Sequence, residues 1–329
     1  MTRTLVTTVL CAALLGCQAS TAAPDSQAKA AAAVKPAAPA AQAAAFDSGK
    51  AWEHLRQMVM LGPRPAGSEA LKQTRAYIKT QMAAVGIQVE EQTWTAQTPI
   101  GAVNMVNLVA KLAGRRTDRI LITGHYDTKP IKGIQFVGAS DGASSAAMVM
   151  ELARVLKSRP HEFTYEFVWF DGEEAFCFDW DECGKPGAPD NTYGSRYYVE
   201  AAKKSNTLAG IKAMILLDMV GAKDLKLRKD TEFAAAWLND IVWATAKKMG
   251  HGATFIDLNG DVGGDDHEPF SKAGVPTIDL IDLHDYADHW HKATDDLNHV
   301  AAGSLQILGD VLLAALPEIE KRLMGSPRV

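Results

Sequence analysis

Past residue 46 the apolar positions follow two alternating periods. Helical spacing runs over 51–60 and 68–85, and Gly86 supplies the stop signal. Further helices are predicted at 144–156, 197–204, 232–249 and 304 to about 323. Between them lie short apolar or β-rich runs at 105–112, 119–123, 165–170, 212–217 and 277–281, which read as strands. Strands separated by helices predict one α/β domain, a central, mostly parallel twisted sheet with helices on both faces. The long stretch 173–194 interrupts the pattern, with Trp180, Gly184, Pro186, Gly187, Pro189 and Asn191. A loop of that length in a compact domain is usually functional. Stretches 257–270 and 282–298 read as two more polar loops.

The first 45 residues break the pattern. Arg3 precedes a short apolar stretch over 5–15, too short to span a bilayer stably. It ends in Leu14-Leu15-Gly16-Cys17, which resembles a bacterial lipobox and predicts a lipoprotein signal peptide over 1–17 with Cys17 as the lipid anchor. A plain secretory signal cut near Ala22-Ala23 is the other reading. Both export the protein, to the periplasmic or cell-surface side, with membrane contact only through the N-terminal lipid; the leaflet stays open. Residues 18–45 are Ala- and Pro-rich and lack aromatics, so they cannot offset the entropy of ordering and read as a disordered tether. The folded domain is expected over 46–329. Export also bears on Cys177 and Cys183, close in sequence and bound for an oxidising compartment; a disulfide is expected, with free thiols or metal ligands as the weaker reading.

A net charge of −5 with no basic run excludes a nucleic-acid footprint. The chemistry lies at strand ends. The run 120–123 leads into His125 and Asp127, the run 165–170 into Glu173 and Glu174, the run 212–217 into Asp218, and 277–281 toward Trp290-His291. Asp141 precedes a helix. In an open α/β sheet, ligands bind beyond the carboxyl ends of the strands, so His125, Asp141, Glu174, Asp218 and His291 should converge there. A nitrogen-and-oxygen donor set without thiolate suits an open Zn²⁺ site. Taken singly, each residue has an ordinary use, Asp141 as a helix cap or Asp218 as an ion-pair partner. Of the Glu173–Glu174 pair, one can bind metal and the other act as general base and acid. Asp127 is placed to orient the His125 ring. Asp265 and Asp266 could stabilise a substrate ammonium or a proton in transit. His54, His161, His251, His267, His284, His289 and His299 read as surface or packing residues, with His289 at the site's rim.

The segments GHYD, SDGAS, DGEE, LLDMVG, DDHEPF and WH, in that order over residues 50–320, resemble the M28 zinc metallopeptidases. The resemblance implies one or two zinc ions on His125, Asp141, Glu174, Asp218 and His291, with Glu173 as general base. Residues 125–129, 170–176, 193–196 and 264–270 look more like the glutaminyl cyclase branch. That branch implies one zinc on Asp141, Glu174 and His291, an acid network of Glu173, Asp218 and Asp265, and a pocket lined by Trp180, Tyr286 and Trp290. Trp180 sits one residue further from the glutamate pair than that pattern has it, and the cysteine-bearing loop is longer. Pocket shape and substrate are the points these departures touch.

The expected activity is therefore cyclisation of N-terminal glutamine on peptides or proteins, with release of ammonia. The alternative is an aminopeptidase whose second ion rests on His125 and Asp218, and a lesser one is a non-catalytic zinc-binding module. Oligomeric state is not legible in the chain.

Overall fold

The computed structural model describes residues 44–325 apart from 181, 261 and 285. Cys17, the signal segment and the tether up to residue 43 lie outside the described residues. Ala44 and Ala45, expected in the tether, already belong to the domain: Ala44 N donates to Ser158 Oγ, and the two carbonyls accept from Arg159 and Arg154.

The helices α1 (Ser48–Met60) and α2 (Glu69–Ala84) lead into the strands β1 (Val89–Thr98), β2 (Gly101–Leu112) and β3 (Arg116–His125). Then come α3 (Ser145–Leu156), β4 (Phe163–Phe170), α4 (Tyr193–Lys204) and β5 (Ile211–Asp218). The chain continues through β6 (Leu227–Asp230), α5 (Ala236–Lys248), β7 (Phe255–Gly260), α6 (Glu268–Lys272), β8 (Thr277–Ile281), α7 (Tyr286–His289) and α8 (Ala302–Gly325). The main sheet has the order β1-β2-β4-β3-β5-β8, and β6 and β7 form a separate parallel pair. Strands β4, β3, β5 and β8 run parallel to one another. At one edge β2 pairs antiparallel with β4 and with β1.

Alternation along the parallel strands feeds two cores. Ile120, Ile122, Phe167, Trp169, Ile215 and Leu217 point into the larger one, under α1, α3, α5 and α8. Leu121, Val168, Phe170, Met214 and Leu216 point the other way, against Tyr198, Val199 and Ala202 of α4 and Phe270 of α6. With side chains buried on both faces, these strands read as unbroken apolar runs. Strand β1 has no such signature. It is an edge strand with Glu90, Glu91 and Gln92, polar on most positions, and only its pairing with β2 makes it β.

Other boundaries shift for local reasons. Helix α4 starts at Tyr193, earlier than residue 197, and Gly194 lies inside its first turn. A Cβ on Gly194 would come within 2.5 Å of Asn107 Oδ1 and 2.6 Å of the Asp171 carbonyl, so glycine is there for close packing, not for a turn. Helix α5 starts at Ala236 because Asp230 Oδ1 accepts from the backbone N–H of Glu232 and Phe233 and holds that segment as a turn. The two later loops contain β7, α6 and α7. Among the described residues, α8 is the helix long and apolar enough to cross a membrane, but it packs on α5 and α1 as a core helix.

Candidate metal centre and active-site pocket

Parallel register brings the strand ends level. His125 pairs with Phe170 across β3 and β4, so Asp171, Gly172, Glu173 and Glu174 leave the sheet beside it. Thr123 pairs with Leu216, which sets His125 beside Asp218. Asp218 in turn pairs with Ile281 at the end of β8. Asp141 arrives from the turn before α3, where the backbone is irregular: Asp141 has φ −82° and ψ 99°, and Gly142 has φ 91°. Gly142 has no room for a side chain. A Cβ would meet the Asp127 carbonyl at 2.5 Å and His125 Cε1 at 3.1 Å.

Two donor triads form, sharing Asp141. In the first, His291 Nε2 stands 3.1 Å from Glu174 and 3.6 Å from Asp141 Oδ2. In the second, His125 Nε2 stands 3.1 Å from Asp141 Oδ1 and 3.0 Å from Asp218 Oδ1. Within each triad the donor atoms lie within 4.8 Å of one another. Asp141 Oδ2 and Glu174 Oε2 are buried and accept no hydrogen bond. Orphaned carboxylate oxygens facing an imidazole nitrogen are costly unless a cation satisfies them, so the donor set fits a divalent metal. His291 itself has φ 55° and Met219, after Asp218, has φ 49°. Such backbone is strained for residues other than glycine and is held here by the surroundings.

Asp127 serves chiefly the glutamate pair. Its two oxygens accept from the backbone N–H of Glu173 at 3.2 Å and of Glu174 at 3.4 Å, while His125 Nδ1 is 3.5 Å away. Glu173 Oε2 lies 3.8 Å from His125 Nδ1. Burial pushes the Glu173 pKa well above the usual carboxylate range; His125 opposes this in part, and Glu174, Asp265 and Asp266 add to it. Burial also raises Glu174 and Asp218. Asp265 is raised well above its ordinary value by burial and then by Asp218 and Asp266. Asp141 differs. Burial would raise it, but the hydrogen bond and charge of His125, with His291 and Arg64 behind, hold it below its ordinary value. Burial disfavours the charged form of His125, yet Asp218 and the other carboxylates around it keep its pKa well above the ordinary imidazole value.

These groups open into a pocket of about 330 Å³. Glu173, Glu174, Asp141, Asp218, Asp265 and His291 line its floor, and Trp180, Tyr286 and Trp290 its walls. Trp290 stacks between Tyr286, at 4.1 Å between ring centroids, and His291, at 3.6 Å. Trp180 sits on the loop closed by a disulfide between Cys177 and Cys183, whose Cα atoms are 6.1 Å apart.

The profile of peptidase family M28 matches residues 107–316. The chain belongs to peptidase family M28. Within the family it falls in the glutaminyl cyclase-like branch. It is 33% identical to a glutaminyl cyclase of an Acidobacteriales bacterium, with TM-score 0.77 over 88% of this chain and 100% of that one. It is 27% identical to the glutaminyl-peptide cyclotransferase of Drosophila melanogaster, over 83% of this chain and 82% of that protein. The solved structure of a leucine aminopeptidase precursor from Bacteroides thetaiotaomicron is also similar, at 26% identity and TM-score 0.75, over 84% of this chain and 98% of that one.

Other residues that hold this M28 site together carry no motif of their own. Asp295 Oδ1 and Oδ2 accept from the backbone N–H of Ser140 at 2.8 Å and Asp141 at 3.0 Å. Arg64 is fully buried and donates to the carbonyls of Tyr126, Val137 and Gly138, tying β3's exit to the Asp141 turn. Lys129 Nζ donates to the Ala175 carbonyl at 3.1 Å and stands 3.9 Å from Glu174 Oε2. His267 is not at the surface. It is fully buried, and its Nε2 lies 3.1 Å from Asp230 Oδ2. An Asp four residues after Trp290-His291, or an Arg between two prolines, gives no sequence signal, because the partners are backbone groups brought from 62 to 155 residues away.

Proposed function

We propose that this M28 chain is a zinc-dependent glutaminyl-peptide cyclotransferase, which converts N-terminal glutamine of peptides to pyroglutamate and releases ammonia. Likeness at 33% identity over the whole length of a glutaminyl cyclase carries the reading. The pocket supports it. Asp141, Glu174 and His291 would hold one zinc ion, which when bound supplies a Lewis acid to polarise the substrate's γ-carbonyl. The nucleophile is the substrate's own α-amine, already tethered to the carbon it attacks. Glu173 takes a proton from that amine and returns it to the departing nitrogen, so a new C–N bond forms as the amide C–N bond breaks and ammonia leaves. In the metal-free site burial raises the proton affinity of Glu173, and a cation held by the adjacent Glu174 would offset that rise and leave it able to receive the proton. Asp218 and Asp265 line the same floor, and the charge of Asp265 adds to the proton affinity of Glu173. Trp180, Tyr286 and Trp290 wall the pocket and keep water, which is not a reactant, from the amide.

A specific observation favours a second reading. His125, Asp141 and Asp218 form their own donor triad, which could take a second ion as in a two-metal aminopeptidase. The deciding experiment supplies purified protein with a Gln-initiated and a Leu-initiated peptide at neutral pH. Ammonia and pyroglutamate from the first, with the second intact, supports the cyclase; free leucine supports the aminopeptidase. A non-catalytic zinc module would bind zinc and act on neither. The donor positions all carry competent residues, which argues against it.

Export as a lipoprotein through Cys17 belongs to the same proposal, supported by the Leu-Leu-Gly-Cys sequence and by a disulfide suited to an oxidising compartment. Mass spectrometry of the mature N-terminus tests it: a diacylated Cys17 is expected, and an unmodified N-terminus near residue 23 would replace the lipoprotein by a plain secreted protein.

A further inference from the structure

A second cleft, of about 710 Å³, adjoins the active-site pocket, and the two share Trp180 and Gly264 as their common wall. Lys185, Arg196 and Lys272 line it, against Glu268. Lys272 is spoken for by Glu268 one turn before it. Lys185 and Arg196 have no carboxylate within 4.0 Å among the described residues, although Asp190 and Asp266 act on Arg196 from further away, and the lining carries three cations to one carboxylate on a chain whose formal net charge is −5.

Local hydrogen bonds fix the backbone of Lys185 and the guanidinium of Arg196. Lys185 begins a tight turn in which its N–H donates to the Ala188 carbonyl at 3.1 Å and its carbonyl accepts from Ala188 N at 2.8 Å. Pro186 and Gly187 fill the central positions, and Gly187 has φ 79°, as a type II turn requires. The disulfide ends at Cys183, two residues before. Arg196 donates to the carbonyls of Pro189 and Asn191 and lies over the Tyr193 ring at 4.9 Å. The guanidinium therefore braces the loop without a close ion pair, with Asp190 and Asp266 acting on it from further away.

We propose that this cleft binds the substrate's residues after the first and selects peptides with acidic side chains there. The inference rests on the peptide-N-terminus reading of the adjoining pocket. With the first residue engaged at Glu173 and the donor triad, the chain must leave the pocket, and the cleft lies directly across the shared Trp180–Gly264 wall. An extended peptide advances roughly 3.3–3.6 Å per residue, so the second to fourth residues would come beside Lys185 and Arg196. Complementary charge at such a rim acts on encounter and specificity and weakens with salt.

The test compares Gln-Gly-Glu-Glu and Gln-Gly-Lys-Lys peptides with glutamine amide as the short substrate, in wild type and Lys185→Glu. At low ionic strength kcat/KM should favour the acidic peptide at least threefold, the preference should shrink in 0.5 M NaCl, and Lys185→Glu should remove or reverse it with glutamine amide unchanged. Equal kcat/KM for the two peptides, or a preference that survives Lys185→Glu, overturns the inference while leaving the cyclase reading intact. Failure to cyclise any of the three overturns the cyclase reading instead. Fluorescence anisotropy with labelled versions of the same two peptides then still decides the cleft, since binding needs no turnover: tighter binding of the acidic peptide, lost in Lys185→Glu, supports it, and equal binding overturns it.

Discussion

Glu173 and Glu174 are adjacent in the chain, yet their surroundings differ. Glu174 stands 3.1 Å from His291, whereas Glu173 faces His125 Nδ1 at 3.8 Å and has no closer ion pair among the described residues. Glu173→Gln should therefore lower kcat by about 10²–10⁴-fold, the usual worth of a positioned acid–base group, with zinc content by elemental analysis unchanged. Glu174→Gln should instead lose zinc. Asp295→Ala removes the acceptor of two backbone N–H groups at the Asp141 turn, and zinc affinity by competition with a chelator should fall by about 10–100-fold, in the range of other groups that orient ligands. Unchanged affinity would mean that the turn holds Asp141 by itself. The glutamates were legible in the sequence because an apolar strand and a glycine precede them. Asp295 and Arg64 were not, because their partners are peptide groups that become neighbours only on folding.

At the scale of elements, the loop between β4 and α4 was legible as functional from its length and its Gly and Pro content, although α4 begins sooner than its spacing suggests. The disulfide closes a very short loop within it, so chain-entropy bookkeeping gives only about 2 kcal/mol of stabilisation. Its larger effect should fall on Trp180, which the bridge encloses. Replacing Cys177 and Cys183 by Ser should raise KM for a Gln peptide several-fold, with kcat much less affected, because the wall loosens while the acids stay in place. Steady-state kinetics with and without reductant checks this, and a selective fall in kcat would contradict it. The turn before α3 is stiffer. Gly142→Ala places a Cβ against the Asp127 carbonyl at φ 91°, and should cost about 3 kcal/mol or more in chemical denaturation. Strand β1 escaped sequence reading because an edge strand with polar residues on most positions shows its character only through its partner.

For the molecule as a whole, the buried acids make stability depend on pH and metal together. Burial raises Glu173, Asp218, Asp265 and Asp279, and takes Asp266 and Asp295 to about 7 and Asp171 to about 8. Each binds its proton more tightly folded than unfolded. Their contribution is complete below about pH 4, where both states are protonated, and is lost as pH rises through the folded values. Asp141, held low, has the opposite sign and loses its contribution as pH falls. The metal-free protein should accordingly melt at a lower temperature at pH 8 than at pH 5.5, and zinc should raise the melting temperature more at pH 8, where it offsets the ionised cluster. Thermal melts with and without chelator at the two pH values check this; a metal-free melting temperature that rises from pH 5.5 to 8 would contradict the burial of these acids.

The sequence by itself determined the fold class and which strand ends carry the chemistry, because two-sided burial leaves continuous apolar runs at Ile120–Thr123, Phe167–Phe170 and Met214–Leu217 that spacing alone exposes. It also determined the donor types at the ends of those runs. Only the tertiary structure decided that Asp141 is shared by two triads, that Asp127 serves the backbone of the glutamate pair more closely than the His125 ring, and that a cationic cleft abuts the pocket. Those facts depend on parallel register and on loops meeting across the sheet, distances between residues far apart in the chain that no local periodicity encodes.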